Sequence, residues 1–258
     1  MNFSDQAYVI HTRPYRETSL LVNLFSRQSG RFTVVSKGLK NRKSSTLQPF
    51  SLLQVSWSGR TELKNLLSAE PLEHRILRGN NLYIALYLNE LLMRLVHEHE
   101  PHESIFDHYS ATLVNLVTNT DVEPCLRRFE FNLLQDLGYG VCVDIDSDSG
   151  EEVDARCVYV FDPAEGVKKA VVSPSSATTF SGSTLLAIGR GDYSDPAVRV
   201  AAKRLVRLAL APHLGTKPLM SREFFRGASN GIRAAVDAGK MMNEIKADRC
   251  SNGEKTGL

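Results

Sequence analysis

Four cations fall within seven residues at Lys37-Gly-Leu-Lys40-Asn-Arg42-Lys43, followed by the hydroxyls of Ser44 and Ser45. Flexible cations on a loop, flanked by hydroxyls, suit contacts to phosphate oxygens. Arg13, Arg16, Arg27, Arg31 and Arg60 add positive charge from neighbouring segments. Tyr15, Phe32 and Trp57 could supply stacking surfaces for exposed bases. Strand alternation predicts burial of Phe32 and Trp57 equally well.

A second basic stretch runs from Pro196 to Arg222, with six bases and no acid. On a helix, Arg199, Lys203 and Arg207 share a face with Arg204 beside them. Like charges stacked four residues apart cost about 0.2–0.5 kcal/mol per pair. That cost points to an anionic partner, external or internal. The internal candidate is Asp144–Glu165, with eight acids and one base, Arg156. Arg127 and Arg128 are expected to point off the polar side of their own helix.

Catalytic groupings are sparse. His97, His99 and His102 stand among Glu98, Glu100 and Glu103. Imidazoles two residues apart diverge on a helix, and Pro101 marks a loop, so a solvated helix end is expected rather than a metal site. Gly227-Ala-Ser-Asn-Gly231 matches the hydrolase nucleophile elbow formally, but a helix-like segment precedes it where a strand is required. No glycine-rich phosphate loop is present. Without a nucleophile, paired acids or a phosphate cradle, an enzyme is the weaker reading.

The elements that must hold these residues divide in two. Residues 1–80 carry 12 Lys or Arg against 5 Asp or Glu, a surplus of +7 inside a chain of 258 residues whose net charge is +2. The rest is therefore mildly acidic. Tyr8 and Ile10 alternate with Val9 and His11, and Leu20, Val22 and Leu24 mark a second strand. Phe32 and Val34 mark a third, Leu53, Val55 and Trp57 a fourth, and Leu63, Asn65 and Leu67 a fifth. Gly30 and Gly59 sit in the turns. Five short strands predict a small closed barrel, since closure removes exposed edges.

Beyond residue 80 the period becomes helical. Leu82–His99 reads as a buried helix, and Ser104–Asp107 can cap a second with Ile105, Tyr109, Leu113 and Leu116 on one face. Asp121, Pro124 and Gly138 punctuate a third, with Leu126, Phe129, Leu133 and Leu137 as its stripe. Residues 141–181 are irregular, with strand-like pieces at Val158–Phe161 and Ala170–Val172. Helices are expected at Ser183–Gly189, Pro196–Leu214 and Ser221–Phe225, and a disordered tail at 239–258. The fold class is thus α+β: a five-stranded OB-fold barrel over 1–80 and a mostly helical domain over 81–235. The N-terminus lacks a signal-peptide layout and no run is apolar enough for a bilayer, so no membrane contact and a cytoplasmic location are expected. The spread of the four cysteines, Cys125, Cys142, Cys157 and Cys250, fits a reducing compartment.

The sequence resembles the RecO family of bacterial recombination mediators from about Ala7 to Phe225. The resemblance is carried by Ala7–Leu20, Ser29-Gly-Arg31, Lys37-Gly38, Leu47–Phe50, Tyr87-Leu-Asn-Glu-Leu91, Leu126–Glu130, Leu137-Gly-Tyr-Gly140 and Lys217–Arg222. It implies binding of single- and double-stranded DNA, annealing of complementary strands, and repair and recombination without catalysis. It implies cooperation with RecR in loading the RecA recombinase onto single strands coated by single-stranded-DNA-binding protein, whose acidic tail binds the helical domain. A nucleoid-associated cytoplasmic location follows. Many members carry a four-cysteine zinc module after Leu-Gly-Tyr-Gly. Here only Cys142 and Cys157 lie in that segment, and a structural zinc site wants four ligands, so no metal and no cofactor are expected.

The residues assigned to DNA are Arg13, Arg16, Arg31, Lys37, Lys40, Arg42, Lys43 and Arg60. Those assigned to the acidic tail are Arg127, Arg128, Lys203, Arg204 and Arg207, because guanidinium pairs well with carboxylate. The alternative from another class is a basic adaptor that binds acidic protein tails without annealing DNA.

Overall fold

The computed structural model describes residues 2–37, 46–59, 63–118, 121–170 and 177–221. Five strands come first: β1 (Asn2–Tyr15), β2 (Ser19–Ser26), β3 (Gly30–Lys37), β4 (Leu52–Ser58) and β5 (Leu63–Glu73). They close into a barrel in the order β1-β2-β3-β5-β4. All pairs are antiparallel except β3 with β5. Ala7, Val9, Val22, Leu24, Phe32, Val34, Leu53, Val55 and Trp57 fill the interior. Their alternate spacing along each strand is what the period of two demands.

The barrel's outer surface is not all solvated. Tyr8, Ile10 and Phe25 lie on the opposite face from Val9 and Leu24, yet they are buried in a second core shared with the helices. Three helices follow, α1 (Gly79–Leu95), α2 (Glu103–Thr118) and α3 (Glu123–Asp136). Ile105, Tyr109, Leu113 and Leu116 line the buried face of α2, as their spacing predicts. In α1, Asn89 is buried and donates from Nδ2 to the Ile10 carbonyl at 2.7 Å. Ile10 is the residue that the β1–β2 ladder skips, between Val9 and His11. The bulge takes that carbonyl out of register with β2, and the helix supplies its partner. The hydroxyl of Tyr109 completes the link by donating to Asn89 Oδ1 at 2.5 Å.

Two glycines are dictated by geometry. Gly30 has φ +67°, and a Cβ there would lie 2.1 Å from the Glu100 carbonyl oxygen. The turn between β2 and β3 thus lies directly against the α1–α2 connection, where the His99 amide donates to the Arg31 carbonyl at 2.8 Å. Gly138, at φ +80°, ends α3 in the left-handed conformation that glycine favours.

The remaining elements are β6 (Val158–Asp162), β7 (Gly166–Lys169), β8 (Thr179–Ser181), α4 (Gly182–Gly189) and α5 (Pro196–Leu210). The second insert strand therefore begins at Gly166, not at Ala170. The Asp162 carboxylate accepts from the amides of Ala164 and Glu165, closing a turn so tight that Gly166 pairs directly with Asp162. Helix α1 stops at Leu95 rather than His99, with Val96 extended, and α5 stops just before Pro212, which cannot continue a helix. Asp195 caps α5 by accepting from the Ala197 amide at 2.7 Å. Apart from Ser221, the stretch Ser221–Phe225 and the whole of the 239–258 tail lie outside the described residues. Residues Met1–Lys217 form one compact unit, and Pro218–Leu258 a second.

Candidate nucleic-acid interface

The strand register fixes which cations share a surface. Arg13 pairs with Leu21, and Leu21 with Val35; Tyr15 pairs with Ser19, and Ser19 with Lys37. Directly opposed residues point to the same side, so Arg13, Tyr15 and Lys37 lie on the outer face of β1–β2–β3 at one end of the barrel. Arg13 and Lys37 are exposed. Arg16 occupies the turn that follows β1, at φ 52°. Its guanidinium lies 5.1 Å from the centre of the Tyr15 ring, within cation–π range. His11 sits one strand period below Arg13, and its pKa is lowered by burial first and by the Arg13 charge second.

Arg31 is placed differently. It pairs with Phe25 at the opposite end of β3. Its Nε donates to the Val96 carbonyl at 2.9 Å, its Nη1 meets Glu98 at 2.8 Å, and its side chain is only 13% exposed. Arg31 is a clamp between barrel and helices, which removes it from the DNA set. Arg27 serves similarly, paired with Asp107 at 2.9 Å and with Glu103. Phe32 and Trp57 are 1% and 2% exposed, with ring centres 4.6 Å apart inside the barrel. They are core, so Tyr15 is the aromatic of the three that remains on the outer surface. Lys40, Arg42, Lys43 and Arg60 lie outside the described residues, as does Gly227–Gly231.

The helical cations separate in the same way. Arg127 is buried: its Nη1 lies 2.7 Å from Glu130 Oε2, and the two side chains are 6% and 2% exposed. Expecting it on the polar side was wrong, because a partner three residues along the same helix carries it into the core. Arg204 stacks 4.3 Å over the Phe180 ring and donates to the Thr179 carbonyl, tying α5 to the insert. Arg199 bonds the Tyr193 carbonyl and pairs with Asp121 at 2.9 Å, so its internal acid is not in Asp144–Glu165. Lys203 and Arg207 are exposed on α5. Arg128 is exposed beside the Tyr193 ring and lines a groove of about 230 Å³ with Phe131, Val141, Val143, Ile188 and Tyr193. Of the five assigned cations, Arg128 is the one that lines this groove, whose walls also include Asn132 and Gln135.

Two cysteines lie at the insert. Cys142 is exposed and donates its thiol proton to Asp144 at 3.2 Å, and Cys157 is half-buried at the edge of β6. Among the described residues no group of three or more His, Cys, Asp or Glu is placed to hold a metal. Apolar packing of Val143, Val153, Tyr159, Phe161, Val167 and Phe180 connects the insert to the helical core. The Tyr159 hydroxyl accepts from the Asp154 amide at 2.8 Å. His99 lies beside Lys64 at 3.2 Å, away from a metal-binding arrangement with His97 and His102.

A closed five-stranded barrel with cations at one end, sharing a core with a helical region, defines an OB-like barrel protein of the α+β class. Residues 1–75 match the family described as "Recombination protein O N terminal", and residues 77–223 match "Recombination protein O C terminal". The DNA repair protein RecO of Haemophilus influenzae (strain 86-028NP) is 47% identical over 224 residues, covering 85% of this chain and 94% of that protein. The DNA repair protein RecO of Pseudomonas aeruginosa (strain LESB58) is 43% identical over 227 residues, covering 88% and 96%. That of Actinobacillus succinogenes is 43% identical over 224 residues, covering 85% and 94%. The chain belongs to the RecO family of DNA repair proteins.

Proposed function

We propose that this chain is a non-enzymatic recombination mediator that grips single- and double-stranded DNA by the phosphate backbone. Arg13, Arg16 and Lys37 make the first contacts, and the Lys40, Arg42 and Lys43 segment extends them. The observation that carries this reading is the convergence of Arg13, Arg16 and Lys37 on one barrel end. Among the described residues none of the three is ion-paired, whereas Arg27 and Arg31 at the other end are. Cations held without acidic partners are suited to polyanions. Annealing then needs no bond chemistry: the protein screens repulsion between two strands, and base pairing supplies the free energy. Such a protein works in the cytoplasm at the nucleoid, with RecR, in helping RecA onto strands coated by single-stranded-DNA-binding protein. Arg128 and its groove are suited to the apolar, acidic tail of that coat protein, with Lys203 and Arg207 as further cations.

The test is a salt titration of duplex affinity. Each phosphate contact contributes about 0.9 to the slope of log affinity against log salt, so removing three contacts lowers the slope by about 2.7. Arg13→Gln, Arg16→Gln and Lys37→Gln together are expected to show that flattening. Arg31→Gln, the control, is expected to lower the melting temperature and leave the slope alone. A triple variant with the parent's affinity and slope overturns the reading.

A further inference from the structure

Strand β1 keeps one row of side chains on the open face of the barrel: Tyr15, Arg13 and His11. Tyr15 stands opposite Ser19, Arg13 opposite Leu21 and His11 opposite Asn23. Arg16 extends the row at the turn that follows β1. A β-strand advances about 6.6–6.8 Å over two residues. Successive phosphates of an extended nucleic-acid strand are spaced on the same scale. A strand laid along β1 therefore meets one side chain of the row per phosphate.

The row ends at His11, and the bulge decides which way that residue faces. Val9 points into the barrel core and pairs with Leu24. Simple alternation from Val9 would turn position 11 inward as well. The extra residue at Ile10 shifts the phase, so His11 pairs with Asn23 and faces out beside Arg13. Ile10 itself is 2% exposed in the core shared with the helices, and its carbonyl is held by Asn89 of α1. The open face of β1 thus stops against the helices one residue below His11. His11 is still exposed to a ligand. Enough protein surrounds it, however, for burial to be the larger cause that holds its imidazole below the ordinary 6.5, with the Arg13 charge second. Its neighbours across the row, Asn23 and Thr33, carry no charge, and neither does Asn89 at the foot.

We propose that His11 is a further DNA contact, the last phosphate seat of a row formed by Arg16, Arg13 and His11, and that it takes up a proton as the strand binds. This rests on the phosphate-gripping reading above and adds one residue and one proton to it. In the free chain His11 is neutral near pH 7, because Arg13 repels a second positive charge and burial disfavours it. A phosphate at Arg13 cancels that repulsion, and a phosphate at His11 attracts the imidazolium. Binding thus favours the protonated ring, and by linkage protonation favours binding. The grip gains a cation as the pH falls, at the end of the row nearest the helices.

The test measures the affinity of the full chain for a short single-stranded oligonucleotide against salt, near pH 5.5 and near pH 8. The parent is compared with His11→Gln, which cannot be charged, and His11→Lys, which is charged at both values. His11 is exposed, so neither substitution opens the core. The other histidines are common to all three proteins, and their titration cancels in the comparison. Relative to His11→Gln, the parent is expected to gain about two- to fivefold in affinity at the lower pH, the worth of one exposed ion contact. Its salt slope should steepen by up to about 0.7, one added contact on a single strand. His11→Lys should show the steeper slope at both pH values. A His11→Gln protein whose pH response matches the parent's overturns the role of His11. A parent that binds the strand at neither pH overturns the phosphate-gripping reading as well.

Discussion

Replacing Arg127 by alanine separates a surface role from a core role. The Arg127 guanidinium and the Glu130 carboxylate approach to 2.7 Å with side chains 6% and 2% exposed. The Tyr87 hydroxyl also donates to Glu130, at Oε1, at 2.7 Å. Removing the guanidinium leaves a buried carboxylate without its counter-charge, a change that costs about 3–5 kcal/mol. At about 2–4 °C per kcal/mol for chains of this size, the melting temperature of Arg127→Ala should fall by about 6–20 °C. Replacing both partners by apolar residues of similar volume, Arg127→Met with Glu130→Leu, should recover most of that loss, because no charge is stranded. Calorimetric melting of the three proteins gives the magnitudes. Titration of a labelled acidic tail peptide, well below each melting temperature, gives the second axis. There Arg127→Ala should bind as the parent does, while Arg128→Ala, at the exposed groove, should bind more weakly. An Arg127→Ala protein that melts like the parent but loses the peptide would refute the reasoning and return Arg127 to the surface set.

Two further outcomes follow from the junction between barrel and helices. Asn89→Leu strands the Ile10 carbonyl and the Tyr109 hydroxyl together, so it should cost about 1–3 kcal/mol for each group left unsatisfied, read from denaturant unfolding. A loss under half a kilocalorie would mean that the bulge at Ile10 is satisfied by other means. Asp107 carries the pH dependence. Hydrogen bonding to Arg27 holds its carboxyl below the ordinary 3.8. A depressed folded pKa stabilises the protein fully above the ordinary value, and that contribution is lost as pH falls through the folded one. The parent should therefore melt above Asp107→Asn at pH 6, and the gap should close as the pH is lowered below 3.8. A gap that is constant from pH 6 to pH 2 would dissociate Asp107 from the ion pair.

What could be read from sequence follows period and punctuation. The five strands, the buried stripe of α2, and Pro124 and Gly138 at the two ends of α3 all announce themselves in sequence. The charges did not sort themselves that way. Arg13 and Arg31 are the same residue type in the same basic module, but one ends on an open barrel rim and the other reaches the Val96 carbonyl and Glu98. The difference lies in partners distant in sequence by more than sixty residues, which no local pattern contains. Arg127 and Arg128 are adjacent and still diverge, because a helix turns by 100° per residue and Glu130 waits on one side only.

The barrel itself carries the same lesson for how its function is to be measured. Tyr8, Ile10 and Phe25 read as the second face of two-sided strands, a face that an isolated small barrel would leave in water. In the folded chain they are 0–2% exposed, Tyr8 and Phe25 packed against Phe106 and Tyr109 of α2 and Ile10 within the same core. Burying one large apolar or aromatic side chain contributes about 1.5–3 kcal/mol, so three of them contribute a substantial share of a domain's marginal stability. A fragment cut at residue 80 would expose all three, together with the bulge carbonyl at Ile10. Its DNA affinity would then report an unsupported barrel. The rim cations belong to a barrel that is clamped to the helices through Arg27, Arg31 and Asn89. Removing the clamp should therefore lower the melting temperature of the barrel without touching a cation on the rim.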